Sequence, residues 1–212
     1  MSFLFNKSKK YFRSIQSLFT TFEPNKLWNI RGKLLYTDNP YSKKEYKEQE
    51  QLILAYLKDL NFSSVLEVGC GYGRITKLIK QNFKIENYLA TDLSDDLIKN
   101  ASEYNKEFQD IQFKQSTIQS LDINKKFDLV IGTEVLQHIL PRDIQSVAQK
   151  LVDMSKKHVI NVDISYDKIP ENLARHNFVH DYNEIYSKCS EIKNITEKKL
   201  GLLNHSLFHV QK

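Results

Sequence analysis

Three glycines spaced two apart, Gly69, Gly71 and Gly73, stand between an apolar run, Val65-Leu-Glu-Val68, and a helical pattern that opens at Arg74. Glycine at such a junction lets the backbone turn tightly and leaves peptide groups bare for a ligand to lie against. The next apolar run closes on Ala90-Thr-Asp92, which puts a carboxylate at the carboxyl edge of the neighbouring strand. There it can accept hydrogen bonds from both hydroxyls of a ribose, so a ribose-bearing cofactor is the natural occupant. A buried acid at a strand end without a ligand would be hard to satisfy. A second grouping, His176, His180, Asp181 and Tyr182, places four proton-handling or hydrogen-bonding side chains within seven residues and reads as a general-base constellation. Its structural alternative is a capping box, in which Asp181 with Glu184 three residues on opens a helix at Tyr182.

The spacing of the turn is G-x-G-x-G, whereas a dinucleotide fingerprint is G-x-G-x-x-G, and Arg74 stands where its third glycine would fall. A pyrophosphate therefore has no evident seat of the usual kind. Short-chain reductases often use a tyrosine four residues before a lysine, and none of the eleven tyrosines has lysine at that offset. Hydride transfer loses ground. Cys70 stands alone between glycines and Cys189 has no Cys or His within four residues, so neither a disulfide framework nor a zinc-ligand cluster is spelled out.

The elements that must position these residues follow from periodicity. From residue 61, short apolar runs alternate with helical stretches, as in βαβ units around a parallel sheet. Strands are predicted at Val65–Val68, Asn87–Thr91, Ile111–Lys114, Phe127–Gly132 and His158–Val162. Helices are predicted at Arg74–Gln81, Asp95–Asn105 behind the cap Ser94, Arg142–Met154 opened by Pro141, and Tyr182–Cys189, with a loop or short turn at 119–125. Two further strands, near Ile192–Leu200 and Leu203–Val210, flank Gly201 closely enough to form a hairpin. Upstream, an apolar face with Leu52, Ile53, Tyr56, Leu57 and Leu60 predicts a helix over Ser42–Leu60. Before Pro24, Tyr11, Phe12, Ile15, Leu18, Phe19 and Phe22 form one apolar stripe beside a basic face. That stripe reads as a helix packed on the domain, an interfacial membrane helix or a lid over the site. Trp28, Arg31 and Tyr36 belong to the same lid reading. The expected division is a helical extension over 1–60 and a catalytic domain over 61–212.

A chain of 212 residues with 41% hydrophobic content has the size of one ordinary domain and enough apolar material for a core. The formal charge of +5 is concentrated in residues 1–48, which carry +6, against −1 for the remainder. A basic extension suits an acidic membrane surface or nucleic acid, but only five of the 31 basic residues are arginine, the better phosphate fork, so nucleic acid is not favoured. No window approaches the apolar length of a spanning helix, and Lys7, Lys9, Lys10 and Arg13 interrupt any signal-peptide run. The expectation is a cytoplasmic chain, with peripheral membrane contact through residues 1–22.

Val65–Gly73 with Asp92, followed by Phe127-Asp-Leu-Val-Ile-Gly-Thr-Glu-Val-Leu-Gln-His-Ile139, resembles the class I S-adenosylmethionine-dependent methyltransferases over about residues 60 to 162. The resemblance implies an α/β fold: a Rossmann-like, doubly wound, mostly parallel sheet, here with a C-terminal antiparallel hairpin strand and N-terminal helices. It implies S-adenosyl-L-methionine as cofactor. Gly69, Gly71 and Gly73, with Cys70 between them, would line its methionine and ribose portions, and Glu67 would lie near its amino end. Asp92 would hold the ribose hydroxyls and Leu93 would pack on the adenine. The family's acid near the third strand is replaced by Gln115-Ser116-Thr117, where a hydroxyl or backbone group takes its place. Thr133 and Glu134 would sit under the sulfonium, with Val135–Ile139 starting the next helix. Plainer readings stand beside these: Glu67 as an anchor for the turn's amides, Cys70 as a small packing residue, His138 as a helix-packing residue.

Methyl transfer from a sulfonium needs alignment, exclusion of water and, for some acceptors, a base. The loop leaving the fifth strand borders the acceptor side of such a sheet, which makes His180, His176 and Tyr182 the candidate catalytic groups. Enzymes of this fold acting on amide or exocyclic amino nitrogens commonly carry N-P-P-Y after the fourth strand, where this chain has Gly132-Thr-Glu-Val. The acceptor expected is a hydroxyl, carboxyl or amine of a small molecule, free or attached to a lipid or glycan. A cofactor-binding regulatory protein without catalysis, and a nucleotide-linked oxidoreductase, are the competing classes.

Overall fold

Strand β1 (Ser64–Val68) is buried at every position, as befits a central parallel strand covered on both faces. The structure, a computed structural model, describes residues 26–28, 30, 44–167, 169, 173–174, 176–200 and 204–212. The apolar stripe of residues 1–22, Arg31 and Tyr36 lie outside the described residues. In chain order the elements are α1 (Lys44–Leu57), β1, α2 (Arg74–Asn82), β2 (Asn87–Asp92), α3 (Asp95–Tyr104), β3 (Ile111–Gln115), β4 (Phe127–Thr133), a 3₁₀ turn (Leu136–His138), α4 (Ile144–Met154), β5 (Ser155–Ile164), α5 (Tyr182–Ser187), β6 (Asn194–Lys199) and β7 (His205–Gln211).

The strands form one seven-stranded sheet in the order β3-β2-β1-β4-β5-β7-β6. β1 pairs in parallel with β2 and β4, β2 with β3, and β4 with β5. β7 enters antiparallel between β5 and β6, so the expected hairpin is present. The chain winds outward from β1 through β2 to β3, then returns to β4 on the other side of β1. That reversal opens a crevice at the carboxyl ends of β1 and β4.

Alternation along the strands sorts the core into two layers. Leu66, Val68, Val130 and Val159 join Val147, Leu151 and Tyr182 from α4 and α5 on one face. Val65, Ile131 and Ile160 join Ile53 and Leu57 of α1, Ile75 and Ile79 of α2, and Ala101 of α3 on the other. Full burial of Ile53 and Leu57 contributes about 1.5–3 kcal/mol each, so α1 is firmly seated.

Two elements depart from expectation. Val135–Ile139 does not begin the next long helix; it forms a single 3₁₀ turn, and α4 starts only at Ile144. Pro141 lies between them and has no N–H to donate, so it cannot carry an α-helical ladder across the gap. β5 runs three residues earlier and two later than the apolar run suggested, because Ser155 follows the last residue of α4 directly.

Candidate active site

The glycine turn adopts left-handed backbone at each of its three glycines, with φ of +64°, +56° and +89° at Gly69, Gly71 and Gly73. Two of these positions define its shape. A Cβ on Gly69 would fall 2.3 Å from Val135 Cγ2, so the turn approaches the start of the 3₁₀ segment too closely for any side chain. A Cβ on Gly71 would meet nothing within 4 Å, so this residue presents bare backbone to open space. Behind the turn, the buried Asn105 side chain donates from Nδ2 to the carbonyls of Gly73, at 3.1 Å, and Ala101, at 2.9 Å. The Cys70 amide donates to the Thr91 carbonyl at 2.9 Å.

Asp92 ends β2 beside this turn. Its Oδ2 accepts the Gly71 N–H at 3.0 Å and its Oδ1 the Ser94 N–H at 2.9 Å. Burial pushes its carboxyl above the usual range, while the amides of Ser94, Gly71 and Leu93 pull it back. An ionised carboxylate offers about four acceptor sites; the Gly71 and Ser94 hydrogen bonds take two of them and leave two.

A cavity of about 630 Å³ opens here, bordered by Gly69, Cys70, Gly71, Asp92, Leu93, Ser116, Thr117, Thr133 and Glu134. Nine of the expected cofactor-site residues are thus brought together. Gly73 and Glu67 are not at its wall. Gly73 packs against Asn105 and Ala101, and Glu67 points by strand alternation into the layer beneath α2. There Glu67 Oε2 accepts hydroxyls from Thr76 at 2.6 Å and Tyr88 at 2.7 Å, and burial raises its carboxyl to about 7 against these donors. It anchors α2 to the sheet.

The residues that the sequence reading did not single out lie on α1. From α1, Gln49 is fully buried and donates from Nε2 to Glu134 Oε1 at 3.0 Å. The Arg74 guanidinium donates to Gln49 Oε1 and, at 2.9 Å, to Glu50 Oε1, and lies 4.8 Å from the Tyr46 ring centre. Gln49 shares the phase of Ile53, Tyr56 and Leu57 along α1; a polar residue on an apolar stripe was the available signal. Glu134 itself has φ +58°, a left-handed backbone rare for a residue with a side chain.

At the outer wall, His138 and Trp28 both line the cavity, with ring centres 4.6 Å apart. His138 Nδ1 lies 3.2 Å from the His176 carbonyl oxygen. A carbonyl only accepts, so Nδ1 carries the proton, and in the neutral ring the lone pair is on Nε2.

The proposed base constellation is dispersed. His176 packs its ring 5.3 Å from His138 and 5.8 Å from Trp28, behind the wall rather than in it. His180 is buried with Nε2 3.0 Å from the Ile139 carbonyl, and Tyr182 is buried against Phe208 at 4.9 Å between ring centres. Neither reaches the cavity. The reason is the capping alternative: Asp181 accepts the Glu184 N–H at 3.0 Å, which turns the chain into α5 and carries both side chains into the core.

With this geometry in hand, the comparisons with known proteins are consistent. Residues 66–158 match the family model described as a methyltransferase domain. A ubiquinone biosynthesis O-methyltransferase of Rickettsia canadensis (strain McKiel) is 34% identical over 139 residues, 64% of this chain and 56% of the relative. Phosphoethanolamine N-methyltransferase 3 of Arabidopsis thaliana is 23% identical over 153 residues, 68% of this chain and 31% of the relative. The chain spans about a third to a little over half of the length of these curated relatives. Among solved structures, the N-methyltransferase NodS from Bradyrhizobium japonicum WM9 in complex with S-adenosyl-L-homocysteine superposes with a TM-score of 0.71 at 16% identity, covering 89% of this chain and 98% of NodS. Magnesium protoporphyrin IX methyltransferase from Synechocystis PCC 6803 with bound S-adenosylmethionine gives 0.67 at 16%, covering 91% and 99%. Residues 66–158 are thus similar to a methyltransferase domain, and the seven-stranded sheet gives this chain the fold of these solved methyltransferases.

Proposed function

We propose that the protein transfers a methyl group from S-adenosylmethionine to a hydroxyl of a small-molecule acceptor, with His138 as the base. The residues present fit the cofactor: Asp92 keeps acceptor capacity for two ribose hydroxyls, and Gly71 leaves backbone open beside it. Leu93, Leu97 and Ile118 give an adenine ring apolar contact, and Ser116 and Thr117 supply polar groups at its edge. When bound, the cofactor supplies an electrophilic methyl on a sulfonium, and transfer leaves a thioether. The chain's own residues then have two tasks. Glu134, held by Gln49, carries negative charge next to the seat for a cationic centre, and His138 Nε2 receives the proton that the acceptor hydroxyl gives up.

The observation that carries the hydroxyl reading is the 3.2 Å approach of His138 Nδ1 to the His176 carbonyl at a wall of the cavity, from which the Nδ1–H tautomer is inferred. The Rickettsia relative, an O-methyltransferase by name, supports it at higher identity than the plant N-methyltransferase. The test is calorimetry with S-adenosylhomocysteine followed by labelled methyl transfer to phenols, alcohols, carboxylates and amines. Binding is expected, with transfer to a hydroxyl. His138→Gln should lower kcat by about 10²–10⁴-fold, the usual yield of a positioned base, and leave product affinity within about threefold. No heat from the wild type refutes the reading. Heat without transfer to any acceptor favours a binding role, and transfer that survives His138→Gln removes the base.

A further inference from the structure

The turn that begins at Glu134 is gripped from beneath by a carboxyl that the proposed chemistry does not use. Asp163, near the end of β5, is fully buried. The Gln137 N–H donates to its Oδ1 at 3.1 Å, the Val135 amide faces the same group, and Asn161 Nδ2 donates to its Oδ2 at 3.0 Å. Burial pushes this carboxyl up to about 7, and the three donors oppose the shift. An acid so placed is costly unless its partners compensate it, and two of those partners are the backbone of one short turn.

The same turn opens on the left-handed Glu134, a conformation that persists only where its surroundings over-determine it. Two constraints do so. The Glu134 amide donates to the Val162 carbonyl at 2.7 Å, which fixes the entry, and Asp163 in the next position of β5 takes the amides that follow. Glu134, Val135 and His138, the residues so fixed, all line the cavity. From α5, the buried hydroxyls of Tyr182 and Tyr186 lie near Asp163, whose charge helps to push both phenols up. Neither hydroxyl has a hydrogen-bond partner among the described residues, so Asp163 is held by the turn and Asn161 rather than by α5.

We propose that Asp163 is a positioning residue: its buried carboxyl collects the amides of the 135–137 turn and so sets where Glu134 and His138 stand in the cavity. The role serves methyl transfer as read above and rests on that reading for its purpose, but the grip itself is testable without an acceptor.

Asp163→Asn keeps the shape and replaces one oxygen by an N–H donor, so one of the converging donors meets another donor. Wild type and variant are compared by amide hydrogen exchange and by the pH dependence of tryptophan emission. Trp28 is the sole tryptophan of the chain, and its ring lies 4.6 Å from His138, whose protonation quenches it. His176 also faces Trp28, so the share of His138 is taken as the difference from His138→Gln. In Asp163→Asn, exchange across 134–138 should accelerate at least tenfold while β1 and β2 change less than twofold, and the His138 quenching amplitude should fall by half or more. Asp163→Glu, which restores the charge one methylene further out, should recover part of both signals. Unchanged exchange at 134–138 overturns the proposal. So does acceleration spread evenly over the sheet with unaltered quenching, which marks a general stabilising role. If Asp163→Asn does not fold, Asp163→Glu is read in the same two assays, and wild-type values in both overturn the proposal. Failure of the wild type to bind S-adenosylhomocysteine would sink the methyltransferase reading and leave the exchange comparison standing.

Discussion

Replacing Asp92 by asparagine isolates the contact on which the proposed cofactor recognition turns. The carboxylate has about four acceptor sites, and the Gly71 and Ser94 amides occupy one on each oxygen. The remaining pair matches the two hydroxyls of a ribose. In Asp92→Asn one oxygen survives and is still claimed by a backbone amide, while the new NH₂ group confronts the other amide. At least one charge-assisted hydrogen bond to the sugar is lost, worth about 1.5–3 kcal/mol, or about ten- to a hundredfold in affinity. Alanine would be a poorer probe, because it would also strip both amides of their acceptor. Calorimetry with S-adenosylhomocysteine at pH 7.5 reads the change directly, and a thermal melt checks that the turn still folds. Because burial raises the Asp92 carboxyl, wild-type affinity should weaken as pH falls toward its titration, and the variant should show less of that dependence. A dissociation constant within about threefold of wild type would remove Asp92 from the site.

Glu67 gives a stability prediction of defined sign. Its carboxyl titrates near 7 in the fold against 4.5 for the free group, so the folded state holds the proton more tightly and stability must decline as pH rises from about 4.5 to about 7. The interval corresponds to about 3 kcal/mol, and Glu67→Gln, which mimics the protonated acid toward Thr76 and Tyr88, should flatten that decline in urea titrations across pH. An unaltered slope would assign the decline to another group, Asp163 being the other carboxyl raised to about 7. His180→Ala should cost about 1–3 kcal/mol by leaving the buried Ile139 carbonyl unpaired, read as a shift of the urea midpoint, with kcat changed less than about threefold. A larger fall in kcat at full stability would return His180 to the chemistry.

What could be read from the chain was local. The strand, the glycine turn and Asp92 are specified by residues close in sequence and by a conformation that side chains oppose, so their places hold in the structure. Ser116 and Thr117 also fall where the absence of an acid directed attention. The histidines were another matter. His176 and His180 stand in a stretch without periodicity, and nothing local says which way each ring turns; the cap at Asp181 decides it, and that cap has the same letters whether the preceding histidine faces a cavity or a core. His138 was visible in the run after β4 but was read against a helix that does not form there, because Pro141 interrupts it. The Arg74–Gln49–Glu134 chain joins residues far apart in sequence and had no signal beyond a misplaced polar residue on α1. Glu67 was assigned to the ligand by resemblance, whereas the two-residue alternation of β1 already directs it to the other side of the sheet.

Asn105 has the last consequence. Glycine-rich loops ordinarily move, and fixing one residue's backbone costs roughly 1–2 kcal/mol in conformational entropy. Here the segment is latched from behind by the Asn105 amide, from one side by the Thr91 carbonyl and from the other by the Asp92 carboxylate. That expense is met once, when the domain folds, and is not deducted again each time a ligand arrives. The loop is a preset mould, and an alteration at Asn105, out of reach of any ligand, would be felt as a slackening of grip on the other side of the backbone.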